Sequence, residues 1–283
     1  MDGILVINKE KGYTSRDVVN ILSKEFNTKK IGHTGTLDPD ATGVLVVAIG
    51  KCLKLVDDIT ALDKEYEATI KLGFETDTLD DSGKVLKEKE VNVTEEEIDE
   101  VLSSFVGDYK MMVPKYSAIK VNGKKLYEYA RENIDIKLPV KDVYIYDLKR
   151  TSKLNNNEFN IKCKVSKGTY IRSLIRDIGY RLNNYATMSN LNRIKQGKFG
   201  IDESYTLDQI KKGYYKLINM KDVLDFKSYE VDEETYKKIS NGQKLSNIYD
   251  EEKIGFIYGN KLIAIYIVDN NDRSLIRAKN VFI

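Results

Sequence analysis

The segment formed by residues 32–43 constrains the fold of this chain more than any other stretch. It holds three glycines, one proline, two aspartates and the only histidine of the sequence. We expect no regular helix or strand in a segment of this composition. The apolar run 44–49 follows at once and has the composition of a buried strand. The sequence therefore predicts a structured loop that leads into the core, and such loops often carry binding and catalytic residues.

The overall composition is that of a globular protein without a metal site. The chain has 283 residues, of which 41% are hydrophobic and 32% charged, enough for one large domain or a large and a small one. The longest apolar runs, 44–49 and 262–268, are far shorter than the ~20 residues that a membrane helix needs. One histidine and the distant Cys52 and Cys163 argue against zinc and disulfides. Without a signal peptide pattern, we expect a cytoplasmic protein.

Charge is distributed unevenly along the chain, although the formal net charge is only +2. Residues 75–108 hold 12 acidic and three basic side chains, whereas residues 161–220 hold 12 basic and four acidic ones. The basic region indicates a polyanionic partner such as nucleic acid, and an ordinary lysine-rich surface is the alternative. The acidic region contains a capping-box pattern at residues 94–97, which predicts a solvated helix.

Hydrophobic periodicity predicts helices and strands without a regular βαβ alternation. Strands are predicted at residues 4–7, 65–72, 143–148 and 159–165, and helices after 14–17, after 94, from 168–170 and at 207–215. After about residue 225, short strand-like runs are separated by Gly-Asn and Asn-Asn-Asp turns. These patterns favour an α+β fold with a small β-rich domain at the C-terminal end.

Asp38 and Asp40 are the first candidates for chemistry. Their Asp-Pro-Asp-Ala-Thr sequence matches the Asp-x-Asp-x-Thr core of aspartate-nucleophile phosphatases, but that signature follows an apolar strand, whereas here the strand comes afterwards. A simple Asp-Pro turn is the other interpretation. His33 could be a general base or a polar loop residue. Arg172, close to a predicted helix start, could face an anion or a carboxylate.

Five motifs, in the same order, resemble those of the bacterial tRNA pseudouridine synthases of the TruB type. They are residues 32–43, 64–66, 76–80, 113–123 and 166–172. The resemblance covers about residues 3–200, and the last ~60 residues resemble a PUA domain more loosely. Three residues depart from the family pattern: Glu10 and Val113 stand where proline is usual, and Asn192 where arginine is usual. None of these departures falls on Asp38, the first candidate for chemistry.

The resemblance implies a fold, a reaction and a partner. The implied fold is α+β, with a mixed or antiparallel sheet in a catalytic domain at residues 1–222, an RNA-binding insert near 120–140, and a PUA-like domain at 223–283. The implied reaction isomerises uridine 55 in the T-arm of tRNA, with no metal, nucleotide or other cofactor. We expect a cytoplasmic monomer that binds the T-arm stem-loop and no membrane. A tRNA-folding module with secondary catalysis is an alternative of a different class.

The resemblance also implies three catalytic residues. Asp38 corresponds to the nucleophile, which must stay ionised. Arg172 is placed to pair with this carboxylate. Tyr66 would lie against the uracil ring and is a candidate for assisting proton transfer.

Four further residues are implied to bind substrate together with Tyr66. Tyr170 and Leu191 would help to wall the pocket. Asp80 would contact the flipped nucleotide or orient its surroundings. His33 would fill the stacking vacancy that the flipped base leaves in the RNA, which is a mechanical role rather than an acid–base one.

Overall fold

The structure is a computed structural model and describes residues 1–223 and 225–283. Its strands are, in chain order, β1 (Gly3–Lys9), β2 (Ile31–His33), β3 (Thr42–Ile49), β4 (Lys64–Leu72), β5 (Phe74–Thr76), β6 (Val85–Glu88), β7 (Gly107–Met112), β8 (Lys120–Val121), β9 (Lys124–Lys125), β10 (Val140–Arg150), β11 (Glu158–Val165), β12 (Ala186–Gln196), β13 (Phe199–Gly200), β14 (Ser228–Glu230), β15 (Leu245–Ser246), β16 (Lys253–Tyr258), β17 (Lys261–Val268) and β18 (Leu275–Val281). Its α-helices are α1 (Ser15–Glu25), α2 (Val56–Ala61), α3 (Glu95–Ser104), α4 (Leu126–Arg131), α5 (Ile171–Arg181), α6 (Leu207–Lys211) and α7 (Glu233–Ser240).

A large mixed sheet forms the centre of the molecule. Its strands follow the order β1-β3-β12-β4-β11-β10-β7, with β2 on β3 and β13 on β12. The β12–β3 pair is parallel and the other pairs of this sheet are antiparallel. The predicted α+β class with a mixed sheet is therefore confirmed. The position of β12 between β3 and β4 brings the loop before β3 close to the side chains of β4.

Strand β3 is buried on both faces, which explains its unbroken apolar sequence. Leu45, Val47 and Ile49 pack into the core that α1, α3 and α5 cover. The alternate residues Val44 and Val46 pack into a second core, to which the C-terminal strands contribute. Because β3 is fixed on both sides, the loop that precedes it starts from a rigid base.

Local signals place the helices. α1 and α3 begin after Thr14 and Thr94, each with a capping box. The sequence predicts the box at Thr94 and, for α1, only a helix start at residues 14–17. α5 begins only at Ile171, later than predicted, because Gly168 has a φ of +86° and cannot belong to a right-handed helix. α6 is shorter than the predicted 207–215, since Gly213 has a φ of +79°.

The chain ends in a small five-stranded sheet of order β14-β16-β17-β18-β15. The predicted β-rich C-terminal region is thus confirmed. Asp58 links this sheet to α2, because its carboxylate accepts hydrogen bonds from Lys253 of β16 and Lys279 of β18 at 2.5 and 2.6 Å. Across the described residues, every helix is too short or too polar to cross a membrane.

Candidate active site

Strand pairing fixes the two ends of the glycine-rich segment. Residues 31–33 form β2 and pair with β3, with His33 opposite Val47. The prediction that residues 32–43 contain no regular structure is therefore wrong at both ends. Residues 32 and 33 belong to β2, and residues 42 and 43 belong to β3. Pairing with β3 satisfies backbone groups that the composition alone cannot place. The irregular part of the segment is residues 34–41.

Three buried side chains, one from α1 and two from β12, hold this loop. The hydroxyl of Ser15, at the start of α1, accepts a hydrogen bond from the Leu37 amide at 2.8 Å. Arg193 of β12 donates to the Val44 and Gly35 carbonyls at 2.7 and 3.1 Å. The amide of Gln196 donates to the Thr34 hydroxyl at 3.0 Å. The position of Asp38 therefore depends on α1, β3 and β12 together.

Asp38 and Arg172 meet at the centre of the site. The guanidinium of Arg172 lies 3.0 Å from the Asp38 carboxylate and 3.6 Å from the carboxylate of Asp80. The Arg172 side chain is only 8% exposed, whereas that of Asp38 is 40% exposed. The arginine is thus a buried anchor, and the Asp38 carboxylate remains accessible to a ligand.

Two backbone carbonyls complete the surroundings of Arg172. Its guanidinium donates to the Thr78 and Tyr116 carbonyls at 3.0 and 3.2 Å. Asp80 is itself fixed, because its carboxylate accepts hydrogen bonds from the hydroxyls of Thr78 and Ser82 at 2.6 and 2.5 Å. Because both terminal nitrogens of the guanidinium have two partners each, the orientation of Arg172 toward Asp38 is fixed.

Tyr66 lies in the interior of the sheet, next to this pair. In the strand register it stands opposite Arg193 of β12 and Cys163 of β11. Burial raises the pKa of the Tyr66 phenol, while the Arg193 guanidinium beside it acts in the opposite direction. The phenol therefore stays protonated at neutral pH and can donate a hydrogen bond.

These groups surround a cavity of about 480 Å³. Asp38, Tyr66, Tyr170, Arg172 and Leu191 all line it. Burial raises the pKa of Tyr170 as well, so its phenol is also neutral. The cavity has a volume typical of small-ligand sites, and a carboxylate, a guanidinium, two phenols and an aliphatic side chain converge on it.

Two predicted site residues do not line the cavity. Asp80 contacts Arg172 from behind and orients it. His33 lies on β2, and its buried Nδ1 has no hydrogen-bond partner among the described residues. Burial, reinforced by the positive charges of Arg193 and Arg16, lowers the pKa of His33. His33 is therefore a neutral ring at pH 7.

Sequence reasoning missed three buried cations at the site. Lys64 and Arg193 line the cavity, and Lys9 is fully buried behind the loop. Lys64 precedes Tyr66 by two residues on β4, a spacing that puts both on one face and could have signalled its position. Arg193 stands two residues after the predicted cavity residue Leu191, but β12, which puts both on one face, was not predicted. Nowhere in residues 1–223 and 225–283 do three or more His, Cys, Asp or Glu side chains cluster as metal ligands would.

Two family models match the chain. The N-terminal domain model of TruB family pseudouridylate synthases matches residues 23–171. The C-terminal domain model of tRNA pseudouridylate synthase B matches residues 172–236.

Curated relatives match over nearly the whole length. A tRNA pseudouridine synthase B of Oceanobacillus iheyensis is 42% identical over 298 residues, covering 100% of this chain and 98% of the relative. One of Caldanaerobacter subterraneus is 42% identical over 267 residues, covering 94% and 91%. One of Staphylococcus aureus is 42% identical over 307 residues, covering 99% of both chains.

Solved structures share the fold at lower sequence identity. A chain in a crystal structure of a Cbf5-Nop10-Gar1 complex has a TM-score of 0.76 at 22% identity, covering 99% of this chain and 85% of that chain. A chain in the structure of an H/ACA RNP bound to a substrate RNA containing 2′-deoxyuridine has a TM-score of 0.75 at 21% identity, with the same coverage. This likeness extends the match from sequence to three-dimensional arrangement.

Proposed function

The chain belongs to the TruB family of pseudouridylate synthases, and from this premise we propose that it isomerises uridine to pseudouridine at position 55, in the T-arm of tRNA. One observation carries the site assignment. Asp38, held 3.0 Å from a buried guanidinium, is the accessible carboxylate of a cavity that Tyr66 also lines. A phosphatase is not supported, because its signature has the first aspartate at the tip of an apolar strand, whereas residues 34–37 separate Asp38 from the short β2 and the apolar strand β3 follows it.

The reaction needs a carboxylate whose orientation toward the nucleotide is fixed. It breaks the C1′–N1 bond of uridine, turns the base and forms a C1′–C5 bond, so reactant and product are isomers and no redox equivalent is consumed. Asp38 is the nucleophile in this proposal, attacking either the base or the sugar. Arg172 compensates the charge of the carboxylate and directs it into the cavity. Asp80 positions Arg172 and has no direct part in the chemistry.

Tyr66, Tyr170 and Leu191 receive the base. A planar pyrimidine fits between aromatic and aliphatic walls, and their neutral side chains favour the uncharged ring over water. Tyr66 lies against the uracil in this proposal and assists proton transfer. Its raised pKa implies that the phenol acts from the protonated state, as a donor or a relay, rather than as a pre-formed anion.

The target base must leave the RNA loop to reach Asp38. Flipping costs a few kcal/mol, which contacts elsewhere have to offset. His33 fills the vacated place in the RNA stack, a role that suits a neutral ring outside the cavity. The exposed basic residues of 161–220 contact RNA phosphates, so the affinity falls with salt, whereas Arg172, Arg176 and Arg193 are buried.

Two further parts of the chain extend the RNA contact. The insert near residues 120–140 contains β8, β9 and α4, where Lys124 lies 5.0 Å from the ring of Tyr129 and Arg131 lies 5.2 Å from that of Tyr127. Basic and aromatic side chains of this kind bind single-stranded RNA.

We assign residues 1–222 to catalysis and 223–283 to a PUA-like RNA-binding domain. In this proposal the protein is a monomer that acts where tRNA is found, in the cytoplasm.

The test is to incubate the protein with unmodified tRNA and to map pseudouridine. We expect product at uridine 55, and none from Asp38→Asn, which should still bind tRNA within a few-fold. Asp40→Asn is the matched control, because Asp40 is two residues away and its side chain is 65% exposed. Product from Asp38→Asn at the wild-type rate contradicts the nucleophile, and product at another uridine contradicts the T-arm. A tRNA refolding assay with Asp38→Asn measures the folding alternative separately.

A further inference from the structure

Two buried cations line the cavity beside Tyr66. The residues Lys64 and Arg193 are only 7% and 1% exposed. Lys64 lies two residues before Tyr66 on the buried face of β4, and Arg193 of β12 stands opposite Tyr66 in the strand register. All three residues line the cavity. The two positive charges therefore lie deep in its wall, next to the side chain that the proposed function places against the uracil.

No carboxylate of the protein pairs with either cation. Within residues 1–223 and 225–283, Lys64 and Arg193 form no ion pair, and their hydrogen bonds end on main-chain carbonyls. The charges of Arg193 and Lys167 add to burial in lowering the pKa of Lys64 to about 8, and Asp63 acts in the opposite direction. The lysine therefore keeps its charge at pH 7, close to two other cations.

Positive charge predominates over the cavity wall as a whole. Its charged lining residues are Asp38, Lys64, Lys167, Arg172 and Arg193. Asp38 is thus the only carboxylate among the described residues that line it. Arg172 is matched by Asp38 and, from behind, by Asp80. Lys64 and Arg193 remain as buried charges without a counterion.

A structural role alone does not account for these charges. The carbonyls that Lys64 and Arg193 hold need a hydrogen-bond donor, and a neutral amide side chain supplies one. Burial of an unpaired charge costs free energy that such bonds repay only in part. Cations retained in a cavity wall at this cost indicate a negative charge that occupies the cavity during part of the reaction.

The proposed reaction generates a negative charge on the uracil. If Asp38 attacks the sugar, its oxygen bonds to C1′ and the C1′–N1 electron pair leaves with the base, which becomes an anion. If Asp38 attacks the base, its oxygen bonds to C6 and the electron pair of the C5–C6 double bond moves to the C4 oxygen, which becomes an enolate. In both routes the charge of Asp38 passes to the ring. It returns to Asp38 when C5 has bonded to C1′ and the carboxylate is released, and the C5 proton is replaced by one on N1.

We propose that Lys64 and Arg193 stabilise the negative charge that the uracil ring carries while Asp38 is covalently bound. This inference rests on the proposed function, because it needs uridine in the cavity. A flipped nucleotide enters base first, so the buried cations face the base, whereas the phosphates stay at the mouth near the exposed Lys167. Uridine and pseudouridine are both neutral. The cations therefore favour the charged intermediate over substrate and product, which lowers the barrier between them.

The first experiment measures the preference of the cavity for a charged ring, without RNA. Uracil is compared with barbiturate, a planar pyrimidine that is an anion at neutral pH and carries its charge on the ring oxygens. Both bind to Asp38→Asn, whose neutral side chain matches the uncharged ester of the intermediate. We expect barbiturate to bind at least about tenfold more tightly than uracil. Equal affinities for the two rings overturn the proposal, and this comparison needs no change at Lys64.

Substitutions in the same background assign the preference to Lys64. Lys64→Gln keeps a donor for the carbonyls but removes the charge, and should lower the preference for barbiturate about tenfold. Lys64→Arg keeps the charge and should retain the preference within a few-fold. Lys167→Gln is the matched control, because Lys167 is exposed at the mouth and its loss should change the preference by less than about twofold. A Gln variant with an unchanged preference overturns the role of Lys64.

Turnover provides the second test, with Asp38 intact. Lys64→Gln should lower the single-turnover rate at saturating tRNA about 100-fold, with the half-saturating concentration within about twofold of wild type. Lys64→Arg should restore most of the rate. Equal falls in the two variants mean a structural role and overturn the proposal. A raised half-saturating concentration with an unchanged saturated rate also overturns it, because that result means a phosphate contact.

The two experiments separate this inference from the proposed function. If the wild-type protein makes no pseudouridine, the proposed function fails, whereas the comparison of barbiturate with uracil still reports whether the cavity binds a pyrimidine anion. If the protein makes pseudouridine and binds the two rings equally, this inference alone fails.

Discussion

Lys9 and Pro39 are 30 positions apart in the sequence, yet the Lys9 ammonium donates a hydrogen bond to the Pro39 carbonyl at 3.1 Å. The same ammonium donates to the Glu10 and Tyr13 carbonyls at 3.0 and 2.7 Å. Lys9 is fully buried, and this burial lowers its pKa although the nearby Asp40 and Asp38 act in the opposite direction. A single buried cation therefore connects β1, the start of α1 and the loop that carries Asp38.

Replacing Lys9 by Met should destabilise the fold and misplace Asp38. The variant leaves the Glu10 and Tyr13 carbonyls without their donor and the Pro39 carbonyl with the Gly12 amide alone. We expect a loss of about 2 kcal/mol in the free energy of unfolding. The rate at saturating tRNA should fall as well, because one of the two hydrogen bonds that hold the loop at Pro39 is lost. Denaturant unfolding and single-turnover rates measure the two effects. Lys11→Met is the control, since the Lys11 side chain is 71% exposed; equal stability of the two variants would contradict the anchoring role.

Local sequence signals predicted the parts of the fold that depend on neighbouring residues. The polar residues 14–17 give the start of α1, the capping-box pattern at 94–97 gives the start of α3, and the run 44–49 gives β3. Each of these signals lies within a few residues of the structure it specifies. The motif resemblance similarly identified Asp38 and Arg172, which the fold brings to 3.0 Å although they belong to distant segments.

Partners that are remote in sequence explain what was missed. The sequence of β12 is largely polar, because Arg193 and Gln196 interrupt its apolar residues. Arg193 donates hydrogen bonds to β3 and the loop 34–41, and Gln196 donates to the same loop and to α2. A strand with buried polar side chains has no clean alternation to detect. Likewise, no residue near Lys9 in the sequence indicates that its ammonium donates a hydrogen bond to the Pro39 carbonyl.

Replacing Arg172 by Lys should reduce catalysis much more than tRNA binding. A lysine ammonium is a point charge that cannot hold Asp38 and Asp80 while also donating to two carbonyls. Misdirecting the carboxylate by about 1 Å can cost roughly 100-fold in rate, and we expect a fall of that order. Single-turnover kinetics and binding assays measure the two quantities. Arg181→Lys, in the last turn of the same helix, is the control; a lysine variant as active as this control would exclude an aiming role for the guanidinium.

His33 should act through the shape of its ring and not through its proton. Its lowered pKa leaves it neutral at pH 7, and its Nδ1 has no partner to lose among the described residues. His33→Phe should therefore keep activity within a few-fold, whereas His33→Ala should raise the tRNA concentration needed for half-maximal rate. The pH profile of kcat/KM should keep its shape in both variants. Disappearance of an ionisation from that profile would identify His33 as an acid or base instead.

The free energy of unfolding should depend on pH through Lys64. Burial, with a contribution from the Arg193 charge, lowers the pKa of Lys64 from 10.5 to about 8, and its ammonium donates to the Thr60 and Leu62 carbonyls. Below pH 8 Lys64 is protonated in both the folded and the unfolded state. Burying its charge therefore lowers the free energy of unfolding by the full amount. Between pH 8 and 10.5 the unfolded state binds more protons, so the free energy of unfolding rises with pH.

The comparison with Lys64→Met isolates this contribution. The wild-type free energy of unfolding minus that of the variant should rise by on the order of 3 kcal/mol between pH 8 and 10.5, because all other titrating groups cancel in the difference. The donor lost from the two carbonyls gives a constant offset and does not alter the slope. Denaturant unfolding at several pH values provides the difference curve. A flat curve over this range would mean that Lys64 keeps an ordinary pKa, and that the cavity wall next to Tyr66 is charged at pH 9.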